Sequence, residues 1–145
     1  MSRIGLRHFF LGGTENSLDD LLNRVSADYP GIKIAGCYAP PFRSMSAEEV
    51  KIQDSMIRQA GADIVWIGLG GTKQDFEAQR LSRSLGLTTV GVGAAFDFIS
   101  GMKPEAPKWL RHSGLEWAHR FATEPTRLAK RYSVGSYRAL RWILR

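Results

Sequence analysis

The sequence contains a single cysteine, Cys37, among its 145 residues. One thiol excludes an intramolecular disulfide framework and a cysteine-rich zinc site, and it is typical of a protein that works in a reducing cytoplasm. The chain also lacks an uninterrupted apolar run of about 18 residues, so no segment is predicted to span a membrane. Its first apolar stretch is too short for the hydrophobic core of a signal peptide and predicts a strand instead.

Two common nucleotide-binding motifs are missing as well. Neither G-x-G-x-x-G nor G-x-x-x-x-G-K-[ST] occurs in the chain, which disfavours the familiar NAD- and ATP-dependent enzymes. The composition is otherwise ordinary, since 43% of residues are hydrophobic and 23% are charged. These fractions predict a globular domain and exclude disorder or a fibrous repeat.

Acidic residues are scarce at the C-terminal end. The net charge is +6, and residues after Met102 include ten basic and only three acidic side chains. This basic region indicates an anionic partner, either a membrane surface, a phosphate-bearing substrate or a nucleic acid, although a solvated helical face would explain it equally well. Nucleic acid ranks last, because the chain lacks an aromatic RNA platform, a zinc module and a helix-turn-helix.

Apolar runs alternate with helical patterns through the first two-thirds of the chain. Ser46 and Glu49 form the spacing of a capping box at one helix start, and either Thr14 or Ser17 caps an earlier one. The alternation predicts an α/β fold, a Rossmann-like, mostly parallel sheet of about four strands flanked by helices. The predicted strands are Leu6–Leu11, Ile32–Tyr38, Ala62–Leu69 and Leu87–Val92, and the predicted helices end near Ala27, Ala60 and Ser84.

A change of character after Gly101 predicts a second part of the chain. Residues 1–101 are interpreted as one domain built on the sheet, and residues 102–145 as a helical appendage in which aromatic and basic side chains are interleaved. Ligands of such sheets bind at the carboxyl ends of the strands, where glycine lets the backbone approach closely. Three glycine-rich turns fall at those positions, GGT at 12–14, GLGGT at 68–72 and GVGAA at 91–95.

The residues from Gly91 to Arg131 closely resemble the signature of the WecB/TagA/CpsF glycosyltransferases. Four elements occur in the family's order and spacing, namely GVGAAFDFISG, an AP-x-W segment, GLEWAHR and EPTRLAKRY. Upstream, GLGGTKQDF and FFLGG are similar to two further family elements. The chain departs from the family pattern at Thr72, where the family has proline, and at Asp75, where it has glutamate.

The resemblance implies an inverting transfer that needs no metal or other cofactor. The family moves N-acetylmannosamine, its uronic acid or glucose from a UDP-sugar to a polyprenyl-diphosphate-linked glycan acceptor in cell-surface polysaccharide biosynthesis. It also implies a cytoplasmic protein that binds peripherally to the inner face of the cell membrane, with the appendage meeting an anionic membrane surface. No nucleic acid partner is expected.

The same resemblance makes residues 1–101 a partial nucleotide-sugar-binding domain and residues 102–145 an appendage for membrane or acceptor contact. It also assigns candidate site residues. Each also has a structural interpretation, as a turn, a helix cap, a packed aromatic or a solvated charge. The expected nucleotide-sugar contacts are Gly12, Gly13, Thr14, Tyr38, Gly70, Lys73, Gln74, Gly93, Phe96 and Asp97. The expected acceptor or membrane contacts are Arg111, Arg120, Arg127, Lys130 and Arg131. His8 is interpreted as a core or edge residue, and His112 and His119 lack the spacing of metal ligands.

The catalytic base is not identified by this resemblance. Family members extend beyond this chain at the N-terminus, and that part holds the aspartate taken as the base, so only Asp75 and Asp97 are left as candidates here. The expectation is therefore a truncated enzyme with weak or no activity alone, and the alternative is a non-catalytic UDP-sugar-binding or membrane-docking module that partners a full-length enzyme. An exposed edge at Leu6–Leu11 would favour a homo-oligomer or a complementing chain.

Overall fold

A computed structural model describes residues 5–102. The chain divides into two units, Met1–Pro104 and Glu105–Arg145, and all described residues belong to the first. Except for Met102, the predicted appendage at 102–145 lies outside the described residues. The division of the chain near residue 101 into a binding domain and an appendage therefore stays a prediction.

The first unit is a parallel sheet with helices between successive strands, which confirms the predicted fold class. The spatial order of its four strands is β2-β1-β3-β4, and all three strand pairs are parallel. The elements are β1 (Arg7–Gly12), α1 (Glu15–Asp28), β2 (Lys33–Tyr38), α2 (Ala47–Ala60), β3 (Ile64–Gly68), α3 (Gly71–Leu85), β4 (Thr88–Gly91) and α4 (Ala95–Ile99). Within the described range, no helix is both long and apolar enough to cross a membrane.

The position of β1 corrects one expectation. Leu6–Leu11 was expected to form an exposed edge, but β1 pairs with β2 on one side and with β3 on the other. The edges of the described sheet are β2 and β4. Strand order is set by how the connecting helices pack and not by the strand's own residues, so the local sequence did not show it. The structure therefore gives no reason to expect a homo-oligomer that pairs through β1.

Side chains that alternate along β1 enter two separate cores, as expected for a strand covered on both faces. Phe9 and Leu11 pack with residues of α2, β3 and α3, whereas Phe10 packs with residues of α1 and α4. The buried partners are Ile57, Ala62, Val65, Ile67 and Leu81 on the first face and Leu18, Leu21, Val25 and Phe96 on the second.

Cys37 lies on the second face, half-buried against the core that α1 covers. Burial raises the pKa of its thiol, and the negative charge of Asp19 on α1 raises that pKa further. The thiolate is therefore disfavoured in the folded protein.

The predicted capping box opens α2. The Glu49 amide donates to Ser46 Oγ over 3.2 Å, and the Ser46 amide donates to the Glu49 carboxylate over 2.7 Å. Arg43 adds two hydrogen bonds to the same carboxylate, at 2.8 and 2.6 Å. The Arg43 side chain first, and the Ser46 amide second, lower the pKa of Glu49 from 4.5 to about 2.

This lowered pKa predicts an acid-sensitive contribution to stability. A carboxylate whose pKa is lower in the folded than in the unfolded chain stabilises the fold above the unfolded value, and the contribution is lost as the pH falls from 4.5 toward 2. Glu49→Gln is expected to make the melting temperature fall less steeply across this window. Glu48→Gln removes a charge from the same turn without the Arg43 contact and should keep the wild-type slope. An unchanged slope in Glu49→Gln would contradict the assignment.

Candidate functional site

The three glycine-rich turns meet at one edge of the sheet. Gly12 and Gly68 are partners at the carboxyl ends of β1 and β3, and a Cβ atom on Gly12 would lie 2.5 Å from the carbonyl oxygen of Gly68. Gly12 has a φ of 131°, which L side chains rarely adopt. The two turns can therefore approach this closely because position 12 is glycine.

Phe96 forms the support of this edge on the α1 side. Its side chain is 3% exposed and packs against Phe10 with ring centroids 5.9 Å apart. A Cβ atom on Gly68 would lie 2.5 Å from the Phe96 ring. The ring of this predicted ligand residue thus lies in the core, where it holds the turn after β4 against the end of β3.

Gln74 links the second turn to the third. The Gly93 amide donates to Gln74 Oε1 over 2.8 Å, which ties the start of α3 to the turn before α4. A Cβ atom on Gly91 would lie 3.1 Å from Gln74 Nε2, so glycine at 91 also leaves room for the amide. Because Oε1 is engaged by Gly93, Gln74 would meet a ligand as a donor through Nε2.

The first turn is locked by Thr14 and Ser17. The Thr14 amide donates to Ser17 Oγ over 2.8 Å, and the Ser17 amide donates to Thr14 Oγ1 over 3.2 Å. Ser17 Oγ also donates to the Thr14 carbonyl over 2.9 Å. Thr14 is therefore the cap of α1, and Ser17 is a buried partner that sequence reasoning considered only as an alternative cap. The T-x-x-S spacing was the available signal.

Several other predicted residues lie around the same edge. Gly70, with a φ of 72°, precedes α3, and no side chain caps that helix or places a negative charge in its first turn. The N-terminus of α3 therefore presents an uncompensated positive dipole end at this edge. Lys73 and Asp75 are exposed on α3, Asp97 is half-buried in the first turn of α4, and Tyr38 is half-buried at the end of β2.

An ion-pair network behind the edge fixes α3 against α2. Arg80 bonds the Asp54 carboxylate at 2.8 and 2.7 Å and the Glu77 carboxylate at 2.9 and 2.6 Å. Buried Gln53 donates to Glu77 over 2.6 Å, and Gln53 Oε1 has no hydrogen-bond partner. The hydrogen bonds to Glu77 and then Asp54 raise the pKa of Arg80. Since Gln74 lies one turn before Glu77, this network also sets the position of Gln74.

Of the remaining candidates, only His8 belongs to the described part of the chain. Trp66 Nε1 donates to His8 Nδ1 over 3.0 Å, and the two rings stack with centroids 6.1 Å apart, so His8 has a packed aromatic neighbour in the sheet. Among residues 5–102, no three His, Cys, Asp or Glu side chains cluster as metal ligands would. The predicted acceptor and membrane contacts Arg111, Arg120, Arg127, Lys130 and Arg131 are outside the described range.

A family model and two named relatives match this chain. The model of the "Glycosyl transferase WecG/TagA/CpsF family" matches residues 1–145. A Bacillus spizizenii protein named N-acetylglucosaminyldiphosphoundecaprenol N-acetyl-beta-D-mannosaminyltransferase is 30% identical over 132 residues, which are 90% of this chain and 49% of that protein. A Bacillus subtilis protein of the same name is 27% identical over 132 residues, covering 90% and 50%. The chain spans about half the length of these relatives. The match over all 145 residues shows that this chain belongs to the WecG/TagA/CpsF glycosyltransferase family.

Proposed function

We propose that this chain forms the nucleotide-sugar-binding part of an inverting glycosyltransferase. Its donor is a UDP-sugar, and the relatives' names favour N-acetylmannosamine as the sugar and N-acetylglucosaminyl-diphosphoundecaprenol as the acceptor. The convergence of three glycine turns at one sheet edge carries the proposal, because Gly12 touches Gly68 there and Gln74 holds Gly93. The protein works without a metal, at the inner face of the cell membrane.

Different groups at this edge bind different parts of the donor. The uncapped N-terminus of α3 offers backbone N–H groups and its dipole to the diphosphate, and exposed Lys73 adds a positive charge in the same turn. Gln74 Nε2 donates to the uracil or ribose, while the Asp97 carboxylate accepts from ribose hydroxyls. Positive charge at the diphosphate stabilises the leaving UDP as the glycosidic bond breaks.

The acceptor hydroxyl needs a base within hydrogen-bond reach of its proton. The chain itself offers two candidate bases, Asp75 and Asp97. Asp97 lies at the start of α4, next to the third turn, whereas Asp75 is exposed on α3. The relatives contain about as much chain again outside the matched part, and we infer that this additional chain supplies the base. The 145 residues alone are then expected to bind UDP with weak or no turnover, and the non-catalytic module stays the second candidate.

Calorimetric titration of the 145-residue chain with UDP, in buffer containing EDTA, tests the proposal. Wild type is expected to bind, and Gln74→Ala and Asp97→Ala are each expected to bind about tenfold more weakly, the effect of losing one hydrogen bond to a polar ligand. Gln79→Ala changes an exposed glutamine of the same helix and should bind like wild type. A folded wild-type chain that releases no heat with UDP would contradict the proposal.

Gln74→Glu tests the two roles of this side chain, which are to hold Gly93 through Oε1 and to donate to the nucleotide through Nε2. Glutamate keeps an oxygen that accepts from Gly93 but loses the Nε2 donor. If Gln74→Glu binds UDP as weakly as Gln74→Ala, either the lost donor or the repulsion between the new carboxylate and the nucleotide weakens binding, and both put this side chain beside the nucleotide. If it binds like wild type, Gln74 acts only by holding the third turn. Turnover of a UDP-sugar by the same chain would replace the expectation of an inactive part with a complete enzyme.

A further inference from the structure

A glutamine occupies a core position in the middle of α2. Gln53 is 1% exposed and lies one turn before Ile57, which is fully buried in the first core. The helical period therefore favours an apolar residue at this position. In the described part of the chain only two other polar side chains are buried, Ser17 and Ser100, and both are serines at helix ends. Gln53 is thus an exception to the pattern of its own helix.

Only the nitrogen of the Gln53 amide is used. Nε2 donates to the Glu77 carboxylate on α3 over 2.6 Å, whereas Oε1 is buried and accepts no hydrogen bond from the described residues. A buried oxygen without a partner lowers the stability of the folded chain. A methionine or leucine would fill the same space without that cost, so the reason for an amide at this position lies in the contact between Nε2 and Glu77.

That contact is the link between α2 and α3 nearest to the start of α3. Among residues 5–102, two other side-chain links join these helices further along. Arg80, one turn after Glu77, is bonded to α2 at 2.8 and 2.7 Å, and Arg58 donates to the Ser84 carbonyl near the end of α3 over 3.2 Å. Loss of the Gln53 donor would therefore loosen the first turns of α3 and leave the rest of the helix in place.

The start of α3 depends on such a link. No described side chain caps this helix, and it begins at Gly70 and Gly71, which both have positive φ and lose much conformational freedom when they are ordered. Gln74 and Glu77 are three residues apart and so lie on the same face of the helix. A contact that fixes Glu77 therefore also fixes the direction of Gln74, whose Oε1 accepts from the Gly93 amide over 2.8 Å.

We propose that Gln53 is a positioning residue for the nucleotide site. By holding Glu77 it keeps the first turns of α3 where Gln74 Oε1 bonds Gly93 and Nε2 faces the nucleotide. The contact with nucleotide rests on the proposed function, whereas the link from Gln53 to Gly93 is measurable without a ligand. An apolar residue at position 53 would keep the core packed but release the third glycine turn.

Amide hydrogen exchange, followed by nuclear magnetic resonance on the full chain, tests the link. Gln53→Met keeps the length of the side chain but removes the donor to Glu77, and the Gly93 amide is expected to exchange at least about tenfold faster than in wild type. Amides of β3 should exchange as in wild type, because the variant loses an unpaired buried oxygen together with one hydrogen bond. Gln53→Leu is measured alongside, so that the result does not depend on how one side chain packs.

Arg58→Met is the matched control, since it removes the link at the other end of α3. Exchange at Gly93 should stay at the wild-type rate in this variant. Wild-type exchange at Gly93 in both Gln53 variants overturns the inference. An equal acceleration at Gly93 in Arg58→Met overturns it too, and so does an equal acceleration of the β3 amides in the Gln53 variants, because the whole fold would then have loosened.

UDP titration adds a measurement that a purely structural role would not change. Gln53→Met is expected to bind UDP about fivefold more weakly than wild type. The double variant Gln53→Met/Gln74→Ala should bind no more weakly than Gln74→Ala alone, because both substitutions act through the same amide. Additive losses in the double variant overturn the inference. Absence of UDP binding in wild type overturns the proposed function, so the two failures come from different measurements.

Discussion

Replacing Gly68 with alanine is expected to lower the free energy of unfolding by about 3 kcal/mol, at the upper end of the cost of overpacking a core. The new methyl group would lie 2.5 Å from the Phe96 ring. That ring is 3% exposed and packs against Phe10, so moving it aside would disturb the core on the α1 side. Urea unfolding followed by circular dichroism measures the change.

A second substitution shows whether Phe96 is the obstacle. Phe96→Leu alone should cost about 1 kcal/mol through the smaller side chain, but Gly68→Ala/Phe96→Leu should be more stable than Gly68→Ala. Gly12→Ala is the matched comparison, because its methyl group would meet the Gly68 backbone at 2.5 Å and its φ is 131°. Phe96→Leu should not rescue it. Additive losses in the Gly68 pair would show that the ring is not what excludes a side chain there.

Removing Arg80 is expected to have the next largest effect, a loss of about 2 kcal/mol for Arg80→Met. The estimate is below the usual cost of breaking a buried ion pair because the Arg80 side chain is 30% exposed. Its partners Asp54 and Glu77 are only 21% and 14% exposed. Without the guanidinium, two carboxylates face each other across the α2–α3 interface with little solvent to stabilise them.

Two further variants test that reason. Arg83→Met removes an arginine from the exposed face of the same helix and should change the free energy of unfolding much less. Arg80→Met/Glu77→Gln should recover part of the loss, because the glutamine leaves only one carboxylate in the network. A double variant less stable than Arg80→Met would show that Glu77 is stabilised by groups other than Arg80, such as the Gln53 amide at 2.6 Å.

Features that depend on neighbouring residues could be predicted from the sequence. The Ser46–Glu49 pair predicted the capping box of α2, and Thr14 was one of the two residues predicted to cap α1. The three glycine turns were also located, because a parallel sheet places its ligand edge after each strand. Helix caps and glycine turns depend on residues a few positions apart, so they can be read directly from the sequence.

Features that join distant residues could not be predicted. The bond between Gln74 and Gly93 spans 19 residues, and the network around Arg80 joins two helices through Asp54. The central place of β1 was missed for the same reason. The short helix α4 was missed for another reason, since the residue just before it, Ala94, makes no side-chain hydrogen bond that caps it. Such a helix depends on packing of Phe96 and carries no start signal of its own.

The single thiol of Cys37 can report on local opening of the fold. Cys37 lies half-buried beneath α1, and burial and then Asp19 raise the pKa of its thiol, so a thiol reagent reacts faster when that helix lifts from the sheet. With one cysteine in the chain, every labelled molecule records the same event. The rate of labelling therefore measures the opening of one face of the domain without any engineered probe.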